Sequence, residues 1–125
     1  MSARVFGCSL LQVLALALLA GCQDKQLAAS VQGDPARGRI ALAQHACRAC
    51  HMIPGVTGSE TYVGRPLEDL AERRFIAGVL PNTQANLVHW IRDPKSVDPR
   101  TAMPTLGVSE RDALDMSAWL LTAKK

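Results

Sequence analysis

Apolar positions recur at intervals of three and four along several stretches of this chain, and they predict a set of short helices. Asp34-Pro35 opens the first of these, with Asp suited to the cap and Pro to the first turn. Within it Ile40, Ala43 and Cys47 share one predicted face, while Arg37, Arg39 and Gln44 point elsewhere. Gly38 weakens that helix, which a close backbone approach to another helix would explain. After a loop marked by Pro54, Gly55, Gly58 and Gly64, a short helix is expected from Arg65-Pro66-Leu67 through Phe75, with Leu67 and Leu70 inward. Asn82-Thr83 caps another, Gln84 to Arg92, whose apolar face is Leu87, Trp90 and Ile91, and Asp93-Pro94 stops it. Pro94 to Pro104 shows no helical period. Ser109 begins a last helix in which Ala113, Met116, Trp119, Leu120 and Ala123 face inward. Few runs have the alternation of a strand, and no internal repeat appears.

The N-terminus has a different pattern. Arg4 precedes an apolar run from Leu10 to Ala20, broken by Gln12 and too short for a mature membrane span, so residues 1–21 read as a signal peptide. Leu19-Ala20-Gly21-Cys22 closes it and resembles the lipobox of bacterial lipoproteins, in which the cysteine becomes the lipidated first residue. Ordinary cleavage, with Cys22 left as a thiol, is the alternative. The expected organisation is a leader over 1–21, a lipid-anchored tether over 22–33 and one domain over 34–125. The expected location is the periplasmic side of a bacterial membrane.

At 125 residues, with 48% hydrophobic but only 4% aromatic residues, the chain supports one modest core. The formal net charge of +3 is too small an excess to suggest nucleic acid as a partner.

The chemistry concentrates in Cys47-Arg48-Ala49-Cys50-His51. Two thiols three positions apart, followed directly by histidine, form the attachment signature of a c-type haem. On one helical turn Cys47 and Cys50 would hold one porphyrin by two thioethers, and His51 would be the proximal iron ligand. One covalent haem c is therefore the expected cofactor. A structural zinc site would need a further Cys/His pair, which is lacking downstream. A thioredoxin-like pair would sit among alternating strands and helices. Met103, in Thr101-Ala102-Met103-Pro104, stands on a proline-stiffened loop from which its thioether could reach the opposite haem face. Met52 and Met116 read as core filling.

From Asp34 to the C-terminus the order of marks resembles a small class I cytochrome c: Gly38, then Cys47, Cys50 and His51, Gly64 to Leu67, Trp90 to Pro94, Met103, and Trp119-Leu120. The resemblance implies an all-α fold of three to five short helices around one covalent haem, with the first and last helices crossing at Gly38 and Trp119. It implies His51 and Met103 as axial ligands, Trp90 packed near the haem, and Arg73 and Thr101 near a propionate. Where the family often has Gly-Pro, this chain has Gly64-Arg65, so the carbonyl that accepts the His51 N–H would belong to Arg65. The likeness is nearest to bacterial cytochromes, or cytochrome domains, that work beside haem-copper oxidases.

The function expected on this basis is electron transfer by a membrane-tethered carrier that is not itself an enzyme. Its expected partners are redox proteins, with cytochrome oxidase and quinol-cytochrome c reductase foremost. Two rivals remain: a thiol-disulfide oxidoreductase or metal chaperone using Cys47 and Cys50, and a haem peroxidase-like enzyme lacking Met103 as a ligand.

Overall fold

The computed structural model describes residues 31–123. The expected signal peptide, Cys22 and most of the tether lie outside the described residues. Helix α1 spans Pro35–Gln44, α2 Gln84–Arg92, α3 Pro94–Val97 and α4 Glu110–Thr122. Strands β1, Phe75–Ile76, and β2, Leu80–Pro81, pair antiparallel.

Each longer helix starts where a side chain satisfies its first amides. The Asp34 carboxylate accepts from the N–H groups of Ala36 and Arg37 at 2.8 and 3.1 Å. Thr83 accepts from Asn86 N at 3.2 Å, and Ser109 from Asp112 N at 3.1 Å. Asp93 both ends α2 and caps α3.

Helix α4 is the centre of the packing. Its Ala113, Met116 and Leu120 are buried against Ala41 and Leu42 of α1, Leu87 and Ile91 of α2, and Ile53, Val56, Leu70, Ile76 and Val108 from the connecting segments. Helices α1 and α4 touch backbone to backbone, and a Cβ on Gly38 would lie 1.9 Å from the Asp115 carbonyl oxygen. That approach turns Gly38, Ala41 and Leu42 inward, so Ile40, expected on the buried face, is 51% exposed.

The same crossing carries a buried carboxylate. Asp115 accepts from Asp34 N at 2.7 Å, from Arg37 Nε at 2.8 Å and from Arg37 Nη2 at 3.2 Å. The Arg37 guanidinium holds the Asp115 carboxyl below its ordinary range although burial pushes it up. Trp119 is not the partner of Gly38. Its indole N–H donates to the Pro54 carbonyl at 2.9 Å and its ring covers Gly55.

The all-α expectation is corrected by the β1–β2 hairpin. Residues 65–75, expected to form a helix, contain only the 3₁₀ turn Leu70–Glu72 before the chain reverses. Ala77 and Gly78 both have positive φ, 52° and 78°, as a type I′ turn requires, and Val79 N donates to Ile76 O at 3.0 Å. Asn82 completes the corner through donation from its side-chain amide to the carbonyls of Leu70 and Arg73 at 2.6 and 2.8 Å. A further difference is α3, one helical turn within the segment expected to be irregular.

No helix among the described residues is long and apolar enough to cross a membrane.

Candidate functional site

Helix α1 stops at His45, whose N–H still bonds Ala41 O at 2.9 Å, and Ala46 takes a left-handed conformation with φ of 60°. The chain thereby turns sharply into the 3₁₀ turn Cys47–Ala49. The Cys47 carbonyl accepts from both Cys50 N, at 3.2 Å, and His51 N, at 3.0 Å. This closed turn puts Cys47, Cys50 and His51 on one short piece of backbone, all half-buried. Burial pushes the Cys47 thiol above its ordinary pKa, and the neighbouring Cys50 adds to the shift.

His51 is held on two sides. Its Nδ1 lies 2.8 Å from the Arg65 carbonyl oxygen. A carbonyl only accepts, so Nδ1 carries a proton, and in the neutral tautomer Nε2 is the nitrogen left with a lone pair. A Cβ on Gly64 would meet the ring at 2.3 Å from Cε1, so only glycine allows this backbone to lie against the imidazole.

The segment that supplies Gly64 and Arg65 is stitched to the turn. Gly64 N donates to Cys50 O at 2.7 Å, the Thr61 hydroxyl to Arg48 O at 2.8 Å, and Leu67 N to Met52 O at 2.8 Å. Ser59 fastens the preceding loop, since its buried hydroxyl lies 3.1 Å from Ile53 N and 2.6 Å from Val56 O.

Met103 lies half-buried between α3 and α4. Its N–H donates to the Thr101 hydroxyl at 3.2 Å, and the Thr101 carbonyl accepts from the Lys95 ammonium. Thr101 therefore orients the Met103 backbone. The Arg73 guanidinium is engaged by the Pro66 carbonyl and the Asp69 carboxylate, which it holds below its ordinary pKa. Trp90 is partly buried against the core, Met116 fully inside it, and Met52 half-buried beside the histidine.

Among the described residues no group of three or more His, Cys, Asp or Glu side chains is already gathered as a metal site. By type, two thiols and an imidazole nitrogen on one turn, with a thioether on a separate loop, are soft and borderline ligands suited to copper or iron. The fixed His51 ring is the observation that fits a metal group, because the hydrogen bond at Nδ1 orients the imidazole and leaves Nε2 as the nitrogen for a ligand bond.

No family model matches the chain. The chain is 37% identical over 89 residues to cytochrome c oxidase subunit 2 of Alkalihalophilus pseudofirmus, an alignment that covers 70% of this chain and 25% of that protein. It is 30% identical over 96 residues to cytochrome c oxidase subunit 2 of Bacillus sp. (strain PS3), covering 73% of this chain and 27% of that protein.

These relatives correct three expectations. Both are subunits of an oxidase, part of an enzyme complex, so the expectation of a carrier that is not itself an enzyme is withdrawn. Neither is named as a class I cytochrome c, and on that finding the family and its fold are withdrawn as assignments of this chain. The single covalent haem c is withdrawn with them, and no covalent haem is assigned to Cys47 and Cys50. The chain spans about a quarter of the length of the curated relatives it matches, which are cytochrome c oxidase subunits.

Proposed function

We propose that this chain is an electron-transfer domain of a respiratory cytochrome oxidase system, acting on the periplasmic side of a bacterial membrane. Its redox centre is a metal site whose candidate ligands are His51 Nε2, the Cys47 and Cys50 sulfurs and the Met103 thioether. The observation that carries this reading is the 2.8 Å contact of His51 Nδ1 with Arg65 O, beside two thiols on the same turn. The oxidase subunits similar to this chain supply the respiratory context. When bound, the metal would supply the one-electron chemistry. The chain's own residues orient the ligand nitrogen, limit water around Cys47 and hold the Met103 loop.

A thiol-disulfide exchange enzyme needs a thiolate favoured by its surroundings. Burial acts in the other direction on Cys47, which disfavours exchange at that thiol.

Metal analysis of the exported full chain, joined to a reductive titration, tests the proposal. The expected result is one redox-active metal centre per chain, lost in His51→Ala while the far-ultraviolet circular dichroism is kept. A metal-free chain whose only redox couple is the Cys47–Cys50 pair would overturn it.

A further inference from the structure

We infer that Tyr62 and Val63 form the contact on which a second redox protein docks, with its partner surface an apolar depression fringed by carboxylates; the inference rests on the electron-transfer reading above. Tyr62 is 72% exposed and Val63 77%. They are consecutive, and the backbone on each side of them is tied to the candidate site. Thr61 donates to the Arg48 carbonyl at 2.8 Å, and Gly64 N to the Cys50 carbonyl at 2.7 Å. Both anchors lie within the Cys47–His51 turn. An apolar pair held in water by two such bonds has little freedom to fold back onto the core. Burying it against another molecule would bring that molecule into contact with the turn carrying both thiols and the histidine.

The surroundings indicate the partner's chemistry. Exposed Arg48 lies inside the turn and exposed Arg65 directly after Gly64, with Glu60 as the acidic neighbour in the same loop. The Arg48 guanidinium donates to the Thr57 carbonyl at 3.3 Å, within the same loop. An exposed tyrosine in a loop that also presents arginines matches the composition of protein interface centres, where both are enriched. Carboxylates around an apolar depression would complement it in charge and shape. Phe75 and Val79 form a second exposed apolar pair, at 50% and 56%. They sit on the β1–β2 hairpin, and no bond ties that hairpin to the Cys47–His51 turn among the described contacts.

Stopped-flow oxidation of the reduced full chain tests this, with two oxidants: the oxidase solubilised from the source membranes, and ferricyanide. Tyr62→Ser with Val63→Ser leaves the charge unchanged. The expected result is a fall of at least about tenfold in the second-order rate constant with the oxidase, as truncation of a central aromatic contact gives. The ferricyanide rate should stay within about twofold of the parent, because a small oxidant needs no shaped contact. Salt should slow the parent's reaction with the oxidase.

Equal losses with both oxidants would mean the centre itself was disturbed, and would overturn the docking assignment. So would an unchanged oxidase rate in a parent that cycles normally. Sedimentation revealing a parental dimer that the variant loses, or vesicles of phosphatidylglycerol that bind the parent alone, would give the surface to a second copy or to a membrane instead. A parent that takes no electron at all would overturn the electron-transfer reading, and the docking with it.

Discussion

The imidazole of His51 stands between the Arg65 carbonyl, 2.8 Å from its Nδ1, and the backbone of Gly64, packed so closely that a Cβ there would lie 2.3 Å from the ring. One neighbour fixes the tautomer and the other fixes the tilt. Such outer contacts of a ligating histidine govern metal retention nearly as strongly as the ligand does.

Gly64→Ala is therefore expected to damage the centre without removing any ligand. Its new Cβ would stand 2.3 Å from His51 Cε1, which forces either the ring or the loop to move. Loss of an outer-shell contact typically weakens metal affinity by about 10- to 100-fold. Competition with a chelator, followed by metal analysis, measures it. Retention equal to the parent's would show that the ring is not held by this packing.

The α1–α4 crossing makes a second prediction. Gly38→Ala would put a methyl carbon 1.9 Å from the Asp115 carbonyl oxygen and 2.4 Å from its carbonyl carbon. Both obstacles are backbone, so relief requires the helices to separate. Overpacking of this kind costs about 1–3 kcal/mol and sometimes more, and the upper end is expected here. Urea unfolding gives the value, and an unchanged midpoint would show that the helices part easily.

Much of the fold was legible because its signals are local. Asp34-Pro35, Thr83 and Ser109 mark helix starts through caps that need only neighbouring amides, and each cap forms. The hairpin was not legible, because it depends on Ala77 adopting a positive φ that no sequence pattern announces, and Phe75 and Ile76 fit a helix tail equally well. Nor could periodicity choose between Ile40 and Leu42 on α1. That choice is made by the crossing at Gly38, a contact 77 positions away in sequence at Asp115. The Cys47, Cys50 and His51 grouping was readable since it lies on one turn, and the Arg65 carbonyl beside His51 was anticipated from the resemblance. The exposed Tyr62–Val63 pair was not: exposure depends on how the loop is tied, which Thr61 and Gly64 decide through the Cys47–His51 turn.

Acid should expose the role of Asp115. Its folded pKa is depressed, first by the hydrogen bonds from Arg37 and against the effect of burial, with Asp34 N and the charge of Arg111 also lowering it. A group depressed in the folded state stabilises that state above its unfolded pKa, near the ordinary 3.8, and the contribution is lost as pH falls through the lower folded value. Stability should therefore decline on acidification below that ordinary value. Asp115→Asn should be less stable at neutral pH and show a shallower acid limb. Denaturant midpoints across an acid series check both, and parallel curves for parent and variant would remove Asp115 from the account.

The methionines separate the proposed ligand from the core. Met116 is fully buried at 0% exposure within α4, whereas Met103 stands half-buried on the loop that Thr101 and Lys95 brace. Met116→Ala should cost about 2–5 kcal/mol, the usual range for removing a buried methionine, and leave the metal's potential nearly unchanged once the chain is folded. Met103→Ala should do the reverse. Little core is lost, but under the proposed ligation one thioether donor disappears, so the potential should shift and the metal should become open to added imidazole or cyanide. Thioether ligation tunes potential, and an emptied position admits small ligands. Met52→Ala is the control beside the histidine, and it should change neither the potential nor ligand access. Redox titration, exogenous ligand binding and urea unfolding of the three variants give the full comparison. If Met52→Ala opens the metal while Met103→Ala leaves it closed, the ligand lies beside His51 and the loop between α3 and α4 has no part in the centre.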